Sequence, residues 1–314
     1  MNIVLSIAVS LIFLVSAPLL AADAPPAPEP TLKNVPYGAH ERQVLDVYKS
    51  KSSNPAPLVF AIHGGGWQAG AKDRVVRLGL AELLDAGLAV VAINYRYVSQ
   101  AQEAGVKPPV EWPLHDAARA LQFTRSKAAE WGIDPMRVGA TGSSAGACSS
   151  LWLAFHTDLA DPESDDPIAR QSTRLQCAAV YGAQTCLDPK LMRQWMPNSK
   201  YGGHAFGFYQ TNPKGESAFD QFYAHRDQIM PWIDEYSPYS LVSKDNPPVL
   251  LEYSAPIEEG KLPKDPTHSA IFGVELAKKI QQVGGSVYLK YPGGPECPYD
   301  GATDFLIKQL TKTR

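Results

Sequence analysis

Met136-Arg137-Val138-Gly139-Ala140-Thr141-Gly142-Ser143-Ser144-Ala145-Gly146-Ala147 carries the pattern that decides the fold. Met136 to Thr141 reads as a strand, and Ala145 to Phe155 reads as a helix. The Gly-x-Ser-x-Gly spacing between them puts Ser144 on a sharp strand-to-helix turn, with small residues at Gly142 and Gly146 where the turn is tightest. Ser144 then sits at a helix N-terminus, where the dipole and free N–H groups favour a developing negative charge. Ser143 also offers a hydroxyl, but at the variable position of the pattern. Alone the spacing is a weak signal, because its residue types are common; the strand before and the helix after give it weight.

Outward from this turn, strands and helices alternate. Leu45–Tyr48 alternates like an early strand, while Leu58–Ile62 and Leu88–Ile93 are short continuous apolar runs, as in strands buried on both faces. Cys177–Val180, Val249–Tyr253 and Val287–Lys290 read as further strands. Helices are expected over Val75–Leu84, from Pro113 through Phe123, over Ser269–Gln282 and over Asp304–Leu310. This alternation predicts an α/β domain over residues 34–314, with a mostly parallel sheet and helices on both faces. Residues 185–240 break the rhythm, being rich in aromatics and lacking a clear strand. They are expected to be an insertion over the carboxyl ends of the strands, forming a lid; a packed peripheral subdomain is the alternative.

A second motif, His63-Gly64-Gly65-Gly66-Trp67, follows the strand ending at Ile62. Consecutive glycines let backbone N–H groups approach a substrate oxygen without obstruction by Cβ. Together with the Ala145 N–H they are expected to form an oxyanion hole, each donor contributing roughly 3 kcal/mol in a transition state. His63 is expected to orient this loop.

These two motifs, with Asn94-Tyr95-Arg96-Tyr97 and Gly132-Ile133-Asp134-Pro135-Met136-Arg137, resemble the hormone-sensitive-lipase-like and feruloyl-esterase-like carboxylesterases of the α/β-hydrolase superfamily. The resemblance runs from about Val44 to the C-terminus, apart from the aromatic insertion. It implies an α/β-hydrolase fold and a carboxylic-ester hydrolase without a cofactor. Ser144 would be the nucleophile, and Gly65, Gly66 and Ala145 would supply the oxyanion donors. Small or aromatic acyl esters, including polysaccharide-linked ones, would be the substrates.

The chain departs from that family where the base should stand. The family's histidine follows the last strand, near Pro295 or Glu296, and no histidine occurs beyond His268. The acid loop after Tyr253 lacks the family's Gly-x-x-Asp, although Glu258 stands close to the acid's place. Loss of a triad member typically removes several powers of ten in rate. Glu296, as an ordinary carboxylate, is a weaker base than imidazole unless burial raises it. Three arrangements remain open: His268 as base oriented by Asp265 or Glu258; His204 or His225 as base; or a degenerate site that binds a ligand.

Composition narrows the setting. A formal net charge of −3 gives no electrostatic reason to bind nucleic acid or an anionic membrane. The histidines and cysteines form no metal-ligand spacing, so no metal site is expected. Residues 1–22 read as a signal peptide, with an apolar run from Ile3 to Val15 followed by Ala21-Ala22, and 23–33 as a Pro-rich linker. A periplasmic or secreted protein with no stable membrane anchor is expected. Cys148, Cys177, Cys186 and Cys297 would mature where disulfides are permitted, and buried thiols are an equal alternative.

Overall fold

The computed structural model describes residues 27–52 and 55–312. The expected signal peptide over 1–22 lies outside the described residues. The expected linker over 23–33 gives way to strand β1 (Leu32–Pro36), an exposed edge strand antiparallel to β2 (Val44–Tyr48). A half-exposed strand that ends on proline has neither the apolar run nor the alternation by which a strand is read.

β3 (Ala56–Ile62) and β4 (Ala89–Ile93) are buried throughout. The helix expected between them is in two pieces, a short helical turn over Lys72–Leu78 and α1 (Leu80–Asp85), broken at Gly79. Next come α2 (Val98–Glu103), α3 (Glu111–Ser126), α4 (Ala128–Trp131), β5 (Ile133–Ser143) and α5 (Ala145–Phe155). After β6 (Cys177–Tyr181) the insertion contributes α6 (Pro189–Trp195), α7 (Ala218–Ala224) and α8 (Met230–Tyr236). The chain returns to the sheet as β7 (Val249–Glu252), α9 (Ala270–Gln282), β8 (Val287–Lys290) and α10 (Ala302–Leu310).

The sheet order is β1-β2-β4-β3-β5-β6-β7-β8, antiparallel where β2 meets β1 and β4 and parallel elsewhere. Leu58, Phe60 and Ile62 face one core, and Val59 and Ala61 face the other, which is why β3 needs no polar position. The chain leaves β3 toward β4 on one side, then builds outward from β5 on the other. The loops after β3 and β5 therefore diverge at a switch in winding direction, where open α/β sheets form their ligand crevice. The two glycine motifs are those two loops.

The insertion has a core of its own that merges with the main one. Phe206 stacks on Phe222 at 5.4 Å, and Phe219 meets Phe222 edge-on at 5.8 Å. Its ends are joined where Tyr239 N–H donates to Thr185 O (2.8 Å). All four cysteines are free thiols, and Cys148, Cys177 and Cys186 are buried. Among the described residues, no helix is long and apolar enough to cross a membrane.

Asp116 reads in sequence as a helix-start acid, yet α3 begins at Glu111 and Asp116 is buried a turn later. Its carboxylate takes the Arg96 guanidinium through Nη2 (2.6 Å) and Nε (2.9 Å), the Arg96 N–H (2.9 Å) and Gln43 Nε2 (2.8 Å). Arg96 in turn lies over the Trp112 ring at 3.9 Å. The Asn94–Tyr97 motif is thus an anchor that fixes the chain leaving β4 to α3. Removing one partner of such a pair strands the other charge, so Asp116→Ala is expected to lower unfolding free energy by ~3–5 kcal/mol, measured by urea denaturation.

Candidate active site

At the elbow the backbone leaves β5 and enters α5 within one residue, and Ser144 takes φ 53° and ψ −123°. A non-glycine residue there is strained. The surroundings impose it: a Cβ on Gly146 would stand 2.1 Å from Ile62 O and 2.6 Å from His63 O, and one on Gly142 2.4 Å from Gly146 O. The start of α5 is pressed against the end of β3, and only glycine fits at either side of the serine.

Ser144 Oγ lies 3.0 Å from His268 Nε2, and His268 Nδ1 lies 2.7 Å from Asp265 Oδ2. A carboxylate only accepts, so Nδ1 carries the proton and Nε2 is free to accept from the serine hydroxyl. Asp265 Oδ1 accepts the N–H groups of Thr267 (3.0 Å) and His268 (3.3 Å), which folds the segment Asp265–His268 into a turn at the start of α9. Burial pushes the Asp265 pKa up, but the His268 ring and these N–H groups outweigh it and hold the carboxyl below its usual value. The pair is open to solvent, His268 at 42% and Asp265 at 60% side-chain exposure.

The loop after β3 lies against the elbow, with Gly64 so close that a Cβ would stand 2.6 Å from Ser143 O. Gly65 and Gly66 both have positive φ, and neither N–H has a backbone acceptor among the described residues. The Ala145 N–H, at the first position of α5, has no intrahelical partner. The loop is fixed from behind: His63 Nδ1–H donates to Gly64 O (2.8 Å), its ring stacks on Tyr95 at 4.2 Å, and Tyr95 Oη–H donates to His63 O (2.9 Å). Trp67 Nε1–H donates to Ser149 Oγ on α5 (2.9 Å).

Of the other sequence candidates, Glu258 is not brought to the histidine. It pairs with Lys261 (2.5 Å) three residues on, because their short turn satisfies its charge locally. His204 packs at 6.0 Å from Trp67, with Nε2 3.7 Å from a Cβ placed on Gly66; burial lowers its pKa to about 4. His225 Nδ1–H donates to Gln221 O (2.7 Å) beside Phe208. Glu296 lines a groove between α9 and β8. Among the described residues, no three His, Cys, Asp or Glu side chains are grouped to hold a metal ion.

A cavity of about 380 Å³ opens beside Ser144 and His268, walled by Tyr181, Gly182, Glu252 and Ser254. Glu252, at the end of β7, accepts the Ala302 N–H at the head of α10 (2.8 Å). Gln184 also emerged only from the structure. It is fully buried, with Oε1 3.5 Å from Ser144 Oγ and Nε2 bonded to Gly182 O (3.0 Å) and Thr267 O (2.7 Å). Its one sequence signal is position, just past a buried strand at the crevice edge.

The BD-FAE family model matches residues 45–255. A probable carboxylic ester hydrolase of Mycobacterium tuberculosis, LipM, is 30% identical over 154 residues, covering 47% of this chain and 33% of that protein. The chain thus spans about a third of the length of this curated relative, and its match to the esterase LipQ of the same organism covers 38% of that protein. Among solved structures, a truncated carbohydrate esterase from gut microbiota has a TM-score of 0.65 at 22% identity, over 89% of this chain and 96% of that one. An acetyl ester-xyloside bifunctional hydrolase from Caldicellulosiruptor lactoaceticus has a TM-score of 0.58 at 23% identity, over 79% and 76%. These neighbours carry the α/β-hydrolase fold, as the sheet does here.

Burial lowers the His63 pKa to about 4, although its bond to Gly64 acts the other way. In the unfolded chain an imidazole titrates near 6.5. Between those values the unfolded state binds more protons at this ring, so stability rises with pH across the window and levels off above it. Lowering the pH from 7 to 5 is expected to cost about 2 kcal/mol through His63. Urea midpoints of wild type and His63→Gln at the two pH values measure this, and the variant should show the smaller pH difference.

Proposed function

Since the chain belongs to the BD-FAE family, and its Ser144 hydroxyl stands 3.0 Å from an imidazole oriented by a carboxylate, we propose that it is a serine carboxylic-ester hydrolase. That distance carries the proposal, because a base within hydrogen-bond reach is what a serine hydroxyl requires. As Ser144 Oγ attacks the ester carbonyl, His268 Nε2 takes its proton and Asp265 steadies the resulting imidazolium. The Ala145, Gly65 and Gly66 N–H groups receive the negative charge on the carbonyl oxygen. The imidazolium then protonates the leaving alkoxide, and a water activated by the same ring hydrolyses the acyl-enzyme.

The substrates we propose are small or aromatic acyl esters, with carbohydrate-linked ones among them. A cavity of about 380 Å³ beside the serine suits a small group, and the fold neighbours include a carbohydrate esterase and an acetyl ester-xyloside hydrolase. The polar wall of Tyr181, Glu252 and Ser254 offers acceptors to hydroxyl groups. The apolar run at the N-terminus and the Ala21-Ala22 pair support an exported, periplasmic or secreted protein.

A fluorophosphonate probe should label the wild type and leave Ser144→Ala unlabelled. Turnover of p-nitrophenyl acetate at neutral pH is expected, falling by roughly 10³-fold or more in His268→Ala. An unlabelled wild type without turnover would remove the esterase assignment; full activity in His268→Ala would remove His268 as the base.

A further inference from the structure

We propose that Gln184, and not Asp265 alone, holds the base in register: it is the positioning residue that fixes His268 over Ser144. This rests on the reading of Ser144 and His268 as nucleophile and base. Gln184 is the third residue past β6, in Gly182-Ala183-Gln184, and is fully buried, whereas Asp265 is 60% exposed. Its Nε2 donates to Gly182 O at 3.0 Å and to Thr267 O at 2.7 Å. Thr267 immediately precedes His268, and the His268 ring lies against Gly182, where a Cβ would stand 3.5 Å from Cδ2. One amide group therefore bolts the backbone beneath the ring to the backbone beside the ring.

The same contacts set the orientation of the amide. Two carbonyl oxygens can only accept, so Nε2 must face them and Oε1 must face Ser144 Oγ, 3.5 Å away. The serine hydroxyl thus has a long, weak acceptor in Gln184 and a short one in His268, at 3.0 Å.

Exposure explains why such a bolt is needed. In water-like surroundings, a carboxylate beside an imidazolium is worth several times less than a buried one. The turn Asp265–His268 also lies outside any strand, and the bonds of the Asp265 carboxylate run within the turn. Beside the His268–Ser144 contact and the start of α9 that follows, the Gln184 amide ties this turn to the segment leaving β6. Displacement of a reacting group by about 1 Å can cost on the order of 10²-fold in rate, which sets the scale of what Gln184 protects.

The test measures kcat and KM for p-nitrophenyl acetate in wild type, Gln184→Met and Asp265→Ala, and repeats Gln184→Met in a His268→Ala background. Gln184→Met should lower kcat by roughly 30- to 100-fold with KM within about twofold. Asp265→Ala should lose less, about tenfold. With His268 already removed, Gln184→Met should change the residual rate by no more than about twofold, because it acts through that ring. Circular dichroism confirms that each variant folds. Should Gln184→Met not fold, Gln184→Glu keeps the side-chain shape while turning acceptor toward acceptor, and must show the same kcat loss.

The inference fails if Gln184→Met loses the same factor with and without His268. It fails equally if Asp265→Ala loses about 10⁴-fold, as for a buried triad acid, while Gln184→Met stays within about threefold of wild type. A wild type with neither turnover nor probe labelling removes the esterase assignment and this inference with it. An active wild type matched by Gln184→Met removes only this one.

Discussion

The close approach of α5 to the end of β3 is the contact on which the rest of the site depends. Ile62 O and His63 O stand where a Cβ of residue 146 would be, so the helix can begin there only on glycine. That pressure holds Ser144 at φ 53°, points its hydroxyl out of the sheet and leaves the Ala145 N–H without an intrahelical partner. The same strand end carries Gly64–Gly66, whose loop is packed on the elbow. One backbone-to-backbone contact therefore places Ser144 and the N–H groups of Gly65, Gly66 and Ala145 together. Strain at such a turn persists only where its surroundings over-determine it; here the end of β3 presses on Gly142 and Gly146, and the Ser144 N–H donates to Tyr181 O on β6 (2.9 Å).

The parallel sheet and the elbow were legible because both rest on short-range rules: apolar runs of strand length, and a glycine on either side of a serine. Long-range partners were not. Asp116 looks like a helix-start acid until Arg96, twenty residues earlier in sequence, is seen to close on it. β1 escaped notice because an exposed edge strand needs no apolar face. The base was readable only as a choice. His268 and Asp265 are close in sequence, but nothing in their spacing tells whether they reach Ser144, which lies more than a hundred residues away. Glu258 failed as the acid because Lys261 neutralises it within its own turn. Gln184 left almost no trace, since a single buried amide has no periodicity.

The imidazole beside Ser144 comes from a different part of the chain than the family resemblance leads one to expect. The segment after β8 carries no histidine, and the head of α10 instead holds the Glu252 carboxylate. The imidazole beside Ser144 comes from the turn ahead of α9, on the other side of β8 in sequence. What is kept is the destination: an imidazole nitrogen 3.0 Å from the serine oxygen. What is given up is shelter, because the acid that orients the ring is more than half exposed.

Asp265 and His268 share one turn of four residues ahead of α9, tied to the segment after β6 by a buried amide. The Asp265–His268 pair is therefore as durable as that turn, and the Ser144 elbow is as durable as the sheet. Opening a surface turn requires far less free energy than unfolding a domain. Under mild denaturant the molecule can pass through a state in which the elbow and its strain persist while Asp265 and His268 depart together. Loss of the His268–Ser144 contact and unfolding are then two events separated along the denaturant axis.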